Sequence, residues 1–182
     1  SQDFLKEFNI KTTFYDPHNL KTLEKNITKK TKLIFVENPG SNTFDFQDLG
    51  KIISIAKKNK ILTAIDNTWG TPYFLKPIKL GFDMSIVSAT KYYSGHSDVM
   101  MGVVLGNDSN LIKLQRWSKN SGNYVSPDDI YMALRGLRTF PLRLKKSSEN
   151  SFKIAKFFET KKVVKKVIHP ALKQHPDHHI CL

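Results

Sequence analysis

Two short apolar runs, each ending in an ionisable side chain, constrain the fold of this 182-residue chain more than any other feature. The first run, 61–65, ends in Asp66, and the second, 84–89, ends in Thr90 and Lys91. Short runs of this kind, bounded by turn residues, are typical of buried strands in a parallel sheet. Because ligands bind outside the carboxyl ends of such strands, we predict that Asp66 and Lys91 lie at the edge of the sheet where chemistry takes place.

The rest of the pattern predicts an α/β fold with a mixed, mostly parallel sheet and flanking helices. A strand over 32–37, a helix over 46–58 and a strand over 61–66 form a parallel crossover unit. Further helices are predicted over 3–9, 19–27, 128–134 and 142–158, with another beginning over 111–117; further strands are predicted over 11–15, 84–89, 99–106 and 163–168. Ser126 and Pro127 supply an N-cap and a first-turn proline for the helix that follows them.

Composition narrows the class of protein. The chain is 40% hydrophobic, which is typical of a globular protein of one or two domains. It has no apolar run of the roughly 18 residues that a membrane span needs, and its start is unlike a signal peptide. We therefore expect a soluble, cytoplasmic protein. The net charge of +13 comes from scattered lysines rather than a basic stripe, so we predict no nucleic-acid partner.

The sequence also predicts no metal site. The single cysteine, Cys181, has no second cysteine for a metal cluster or an internal disulfide. His175, His178 and His179 are ligand types, but Asp177 is the only carboxylate near them. We expect a solvated tail there.

The pairing of Asp66 with Lys91 suits one cofactor in particular. In pyridoxal phosphate (PLP) sites a lysine amine forms a Schiff base with the cofactor and an acidic side chain contacts the pyridinium nitrogen. The hydroxyls of Ser88 and Thr90 flank the lysine and suit phosphate oxygens. The residues alone leave an alternative open, in which Asp66 caps a loop and Lys91 is an ordinary surface lysine.

Several motifs extend this pattern along almost the whole chain. They are ENPGS at 37–41, DNTW at 66–69, SATKY at 88–92, GHSD at 95–98, RGLRT at 135–139 and HPAL at 169–172. In this order the motifs resemble the PLP-dependent enzymes of cysteine and methionine metabolism, the trans-sulfuration enzymes. The resemblance implies the large domain of the type I PLP-dependent transferase fold.

The resemblance also implies a set of site residues. Lys91 would bind the cofactor covalently and move protons between substrate carbons, and Asp66 would pair with the pyridinium nitrogen. Ser88 and Thr90 would hold the phosphate. Asn67 would orient the ring or the substrate, unless it is only a turn residue.

The motif at 66–69 resembles the bacterial cystathionine β-lyases more than the γ-enzymes. This implies a carbon–sulfur lyase of methionine biosynthesis that acts on a thioether amino acid, cystathionine, and yields homocysteine, pyruvate and ammonia. A γ-synthase or γ-lyase remains an alternative, and so does a non-catalytic remnant of a decayed gene. Full-length members of the family form homo-oligomers, an expectation that the missing N-terminal arm weakens for this chain.

Members of the family are also much longer than this chain, which is therefore expected to be a truncated fragment. Residues 1–138 correspond to the central part of the PLP-binding large domain and 139–182 to the start of the C-terminal small domain. The ring-stacking tyrosine, the glycine-led phosphate loop and the arginine for the substrate carboxylate have no counterpart here. We expect weak activity at most, and poor solubility, for the chain alone.

Overall fold

The computed structural model of the chain describes residues 2–181 and builds them around one four-stranded sheet. The strands are β1 (Leu33–Glu37), β2 (Leu62–Asp66), β3 (Met84–Ser88) and β4 (Gly102–Gly106), in the order β1-β2-β3-β4. β1, β2 and β3 run parallel, and β4 pairs antiparallel with β3. The predicted α/β class with a mixed, mostly parallel sheet is confirmed.

Helices connect and flank these strands. They are α1 (Gln2–Glu7), α2 (Leu20–Asn26), α3 (Leu49–Lys58), α4 (Thr71–Phe74), α5 (Pro77–Leu80), α6 (Asp108–Ser121), α7 (Pro127–Leu137), α8 (Phe140–Glu159) and α9 (His178–Cys181). The Ser126 hydroxyl accepts a hydrogen bond from the Asp129 N–H, with Pro127 in the first turn, as predicted for α7. None of the helices within residues 2–181 is long and apolar enough to cross a membrane.

The hydrophobic core lies between the sheet and α3. Ile52, Ile53 and Ala56 of α3 are buried in one cluster with Ile34 and Ile65 of the strands. The spacing of these α3 residues places them on one face of the helix. β1, α3 and β2 therefore form the predicted strand–helix–strand unit.

The opposite face of the same sheet is partly open. Residues of β1 alternate between buried and exposed, and Leu33 and Phe35 are 47% and 53% exposed. Leu62, which pairs with Leu33 in the ladder, is 42% exposed. Parallel sheets normally have both faces covered. In the described part of the chain, this apolar face has little cover around β1.

Two predicted strands are wrong. A strand needs a neighbour for its backbone hydrogen bonds, and neither 11–15 nor 163–168 pairs with another described strand. Side-chain bonds fix the first segment instead: Asn26 Nδ2 donates to the Phe14 carbonyl at 3.0 Å. In the second segment Val163 is 94% exposed and Ile168 is 46% exposed, so the segment buries no apolar face against the sheet.

Several element starts also differ from the prediction, and two of them lie three residues later than predicted. α3 begins at Leu49 rather than at residue 46, because the Asp48 carboxylate accepts a hydrogen bond from the Lys51 N–H and caps the helix. β4 begins at Gly102 rather than at residue 99, because Met101 bonds to the Thr90 side chain.

The segment that follows α8 packs back on the fold rather than forming a solvated tail. Leu172 is fully buried, and His175 and Asp177 are also buried. One carboxylate oxygen of Asp177 accepts a hydrogen bond from the Phe46 N–H at 2.9 Å, across 131 positions of sequence. The expectation of a solvated tail is therefore wrong at His175.

The carboxylate of Asp177 also takes part in a small charged cluster. His18 lies between two carboxylates, with Nε2 3.1 Å from Asp45 and Nδ1 3.7 Å from Asp177. Potential ligand atoms of these three residues lie within 4.8 Å of one another, but the groups are already paired among themselves. The absence of a metal site stays a prediction.

Candidate active site

A cavity of about 390 Å³ lies at the carboxyl ends of β1, β2 and β3. This volume falls within the range of roughly 300–1,000 Å³ that is typical of ligand pockets. Its lining consists of Glu37, Pro39, Gly40, Ser41, Phe44, Asp66, Thr68, Trp69, Lys91 and Tyr92. The structure therefore brings Asp66 and Lys91 to one cavity at the edge of the sheet where the strand pattern predicts them.

The two carboxylate oxygens of Asp66 differ in their hydrogen bonding. Asp66 is half-buried, and one of its oxygens accepts a hydrogen bond from the Thr68 N–H at 2.9 Å. No residue within 2–181 hydrogen-bonds the second oxygen through its described atoms. That oxygen can accept a hydrogen bond from a ring N–H in the cavity.

Lys91 lies in a tight turn that follows β3. Its N–H donates to the Ser88 carbonyl at 3.1 Å, and its own carbonyl accepts from the Gly95 N–H at 2.8 Å. The side chain is exposed. The backbone of Lys91 is thus fixed, while its amine remains open to a reactive carbonyl group in the cavity.

Ser88 and Thr90, the predicted phosphate contacts, lie outside the cavity lining. The Thr90 hydroxyl donates to the Met101 carbonyl at 3.3 Å and accepts from the Met101 N–H at 2.9 Å. It therefore ties the end of β3 to the start of β4. The Ser88 N–H donates to the Thr68 hydroxyl at 2.8 Å, and this bond joins the turn that follows β2 to the end of β3.

Asn67 is fully buried beneath the turn that follows β2. Its side-chain amide donates to the Leu75 carbonyl at 3.0 Å. Its side-chain oxygen has no hydrogen-bond partner among the described residues, and an added Cβ at Gly70 would lie 2.8 Å from it. These contacts describe a residue that shapes the turn.

The cavity lining also contains residues to which the strand-end prediction assigns no role. Glu37 ends β1 and its carboxylate accepts a short hydrogen bond from the Ser41 hydroxyl. Trp69 packs edge-on against Phe44, with ring centroids 6.2 Å apart. The strand-end rule that selected Asp66 would also have selected Glu37, because β1 is parallel to β2 and ends at the same edge.

A hydrogen-bond network supports the loop that forms one wall of the cavity. The Tyr15 hydroxyl donates to Gln47 Oε1 at 2.5 Å, and Gln47 Nε2 donates to the Glu37 carbonyl at 3.1 Å. The Gln47 N–H donates to Asn38 Oδ1 at 2.8 Å. Burial raises the pKa of Tyr15 to about 12. The network thus anchors both ends of the loop from Glu37 to Gln47.

A second cavity, of about 670 Å³, lies between β4 and α6. Val104, Leu111, Leu114 and Tyr124 contribute to its lining, together with Lys119. No described residue of this lining is a carboxylate. It lacks the paired acid and amine of the first cavity, which we therefore treat as the candidate active site.

Comparison with known proteins identifies the family. The model of the Cys/Met metabolism PLP-dependent enzymes matches residues 1–182. The chain belongs to this family. The family resemblance seen in the motifs is therefore confirmed, and so is pyridoxal phosphate as the cofactor of the family.

Relatives within the family differ in their reactions. The chain is 41% identical over 176 residues to the cystathionine gamma-lyase of Mus musculus and covers 44% of it. It is 40% identical over 176 residues to a candidate cystathionine beta-lyase of Rhizobium johnstonii, again covering 44%. It is 37% identical over 180 residues to the L-alanine/L-glutamate racemase of Wolbachia pipientis. These alignments cover 96%, 97% and 99% of the chain, respectively.

A solved structure shows the same fold. Cystathionine gamma-lyase from Lactobacillus plantarum, in complex with L-serine, superposes with a TM-score of 0.93 at 32% sequence identity. The superposition covers 98% of this chain and 47% of that enzyme. The chain thus spans less than half the length of each of these relatives.

The residues present fit the cofactor of this family. The cavity combines an exposed lysine amine with a carboxylate that has one oxygen available. These are the two groups that PLP sites use for the cofactor carbonyl and the ring nitrogen.

Proposed function

We propose that this chain carries the lysine-bearing part of a PLP-dependent active site, with Lys91 as its catalytic residue. The observation that supports this proposal is the convergence of Lys91 and Asp66 on one cavity, in a chain that belongs to a PLP-dependent family. The bound cofactor supplies a protonated ring that stabilises negative charge at the α-carbon of an amino acid.

Each residue then has a defined task. Lys91 would hold the cofactor covalently through its amine and, once the substrate amine has displaced it from that bond, the freed lysine amine would remove or return the proton at the substrate α-carbon. The second oxygen of Asp66 accepts the ring N–H and keeps that nitrogen protonated. The fixed backbone on either side of Lys91 limits the positions that its amine can reach.

We assign the cofactor phosphate to Ser88 and Thr90. Thr90 must first exchange its hydrogen bond to the Met101 carbonyl for one to a phosphate oxygen. Asn67 contributes indirectly, because its bond to the Leu75 carbonyl holds the turn that carries Asp66.

For the reaction, we propose β-elimination of cystathionine to homocysteine, pyruvate and ammonia. The similarity to a candidate β-lyase supports this choice, while the similarity to γ-lyases supports γ-elimination as the alternative. Racemisation is a further alternative, because a racemase aligns with 99% of the chain. All three reactions begin with removal of the α-proton, the step that we assign to Lys91.

The wider organisation follows the family. We propose that residues 1–138 belong to the cofactor-binding domain and 139–182 to the smaller domain; this boundary falls between α7 and α8. A homo-oligomer in the cytoplasm is the proposed assembly.

Reduction of the cofactor bond tests the proposal directly. The purified chain is mixed with PLP, scanned for visible absorbance and then reduced with borohydride. We expect an absorbance band at a longer wavelength than that of free PLP. After reduction, the cofactor should remain attached to the peptide that contains Lys91. Lys91→Ala should lose both signals, whereas Lys145→Ala, which removes an exposed lysine of α8, should keep them. Equal labelling of the two variants would refute the assignment of Lys91.

Product analysis separates the reactions. β-Elimination of cystathionine releases pyruvate, γ-elimination releases 2-oxobutyrate, and racemisation leaves the amino acid intact with inverted chirality. The absence of every product, with the label still present on Lys91, would favour the non-catalytic remnant.

A further inference from the structure

The motif at 135–139 and the residues just after it have no part in the candidate site described above. The structure places them against the turn that carries Lys91. We propose that Arg143, together with Gly136, positions this turn and so sets the reach of the Lys91 amine. The consequence for catalysis rests on the proposed function of Lys91, but the contact itself does not.

The Arg143 guanidinium bridges the helices and the turn. Its Nη2 donates to the Gly136 carbonyl at 2.9 Å and to the Tyr93 carbonyl at 3.3 Å, and its Nε donates to the Thr139 hydroxyl at 3.0 Å. One planar side chain thus joins the end of α7, the start of α8 and the backbone two residues after Lys91. Hydrogen bonds from a charged donor are among the stronger ones in proteins.

Two glycines allow this close approach. At Gly95, where φ is +76°, an added Cβ would lie 2.1 Å from Arg143 Nη1. At Gly136, an added Cβ would lie 2.2 Å from the Tyr93 carbonyl oxygen and 2.5 Å from that of Ser94. The guanidinium and the helix backbone therefore both pack directly against the backbone of the turn.

The same part of the turn holds Lys91. The Gly95 N–H donates to the Lys91 carbonyl at 2.8 Å, and the Ser94 N–H donates to the Ala89 carbonyl at 3.0 Å. A shift of Tyr93 or Gly95 would therefore move the Lys91 backbone. Phe140 adds an edge-on ring contact with Tyr93, with centroids 5.2 Å apart.

The chemistry of this contact requires arginine. The guanidinium presents donors in a fixed fork, whereas a lysine ammonium is a single point of charge on a flexible stem. Arg143→Lys keeps the charge but cannot reproduce the three hydrogen bonds together. Arg143→Met loses the charge and all three hydrogen bonds. Arg138→Met is the matched control, because Arg138 is exposed and carries the same charge at the end of α7, five positions before Arg143.

Hydrogen exchange of the full chain without cofactor tests the contact. In Arg143→Met we expect the Ser94 and Gly95 amides to exchange about tenfold faster or more, a factor that corresponds to one lost charge-assisted hydrogen bond. Arg143→Lys should fall between this variant and the wild type, and Arg138→Met should match the wild type. The amides of β2 serve as an internal control for global unfolding.

Labelling by PLP and borohydride tests the consequence for Lys91. We expect Arg143→Met to slow labelling of Lys91 several-fold and to change its pH profile, while labelling of Lys145 in the same molecule stays constant. Unchanged exchange at Ser94 and Gly95, or unchanged labelling despite faster exchange, would overturn the positioning role. If the wild-type chain takes no label at Lys91, the proposed function fails, and the exchange result still decides whether Arg143 holds the turn.

Discussion

The hydroxyl of Tyr15 gives the most quantitative test of how the cavity wall is held. It donates to Gln47, which is only 8% exposed, and Gln47 in turn bonds to the Glu37 carbonyl. Tyr15→Phe removes the donor and leaves a buried acceptor without its partner. Such a loss typically costs about 1–3 kcal/mol. We therefore expect the free energy of unfolding at pH 7 to fall by this amount.

The dependence on pH tests the burial of the phenol, separately from its hydrogen bond. Burial raises the pKa of Tyr15 from 10.0 to about 12, so the neutral phenol is the favoured form in the folded state. The stabilisation is complete below pH 10 and is lost as the pH rises towards 12. At pH 11, one unit above the unfolded pKa, the advantage of the wild type should shrink by at most about 1.4 kcal/mol, because solvent screens part of the effect at a half-buried phenol.

Urea unfolding followed by tryptophan fluorescence measures both quantities. We would compare the wild type, Tyr15→Phe and Tyr131→Phe at pH 7, 9 and 11. Tyr131 is 66% exposed, so its variant should stay within about 0.5 kcal/mol of the wild type at pH 7. Equal stability of the wild type and Tyr15→Phe at pH 7, or a difference that does not change by pH 11, would refute the reasoning.

Three further predictions follow from burial and charge. Ile65→Ala removes a fully buried core side chain and should lower the free energy of unfolding by about 2–5 kcal/mol, seen as a lower urea midpoint with an unchanged slope. Asp45→Asn should cost up to about 1 kcal/mol at pH 7. Hydrogen bonds from Thr43 and His18 lower the pKa of Asp45 below 3.8, so this difference should persist above that pH and disappear in more acidic unfolding experiments. Phe35→Lys should change stability by no more than about 0.5 kcal/mol but reduce self-association in sedimentation experiments, because Phe35 lies on the open sheet face; unchanged association would show that this face is not responsible.

The parts of the site that could be predicted from the sequence follow from one rule. Asp66 and Lys91 each end a buried strand run, and parallel strands deliver their ends to one edge of a sheet. The rule depends only on local pattern and strand direction, so it needs no knowledge of side-chain partners. For the same reason it could have included Glu37.

The contacts of Thr90 and Asn67 could not be predicted in this way. The Thr90 hydroxyl bonds to Met101 and the Asn67 amide to Leu75, and neither partner follows from the pattern around the strands. Likewise, 11–15 is rich in β-branched and aromatic residues, as strands are, but pairing depends on whether a neighbouring strand is available. Side-chain partners and strand pairing of this kind depend on the complete tertiary structure.

The bond between Asp177 and the Phe46 N–H also affects the order of events during synthesis. Residue 177 follows residue 46 by 131 positions. At the usual 5–20 residues per second, the ribosome adds it about 7–26 s later. For most of that interval β1, α3 and β2 have already been made, while the loop beside Trp69 lacks its buried acceptor. The sheet can therefore form well before the cavity beside it is complete. A cofactor that binds before residue 177 is added would meet a cavity wall that still lacks this hydrogen bond.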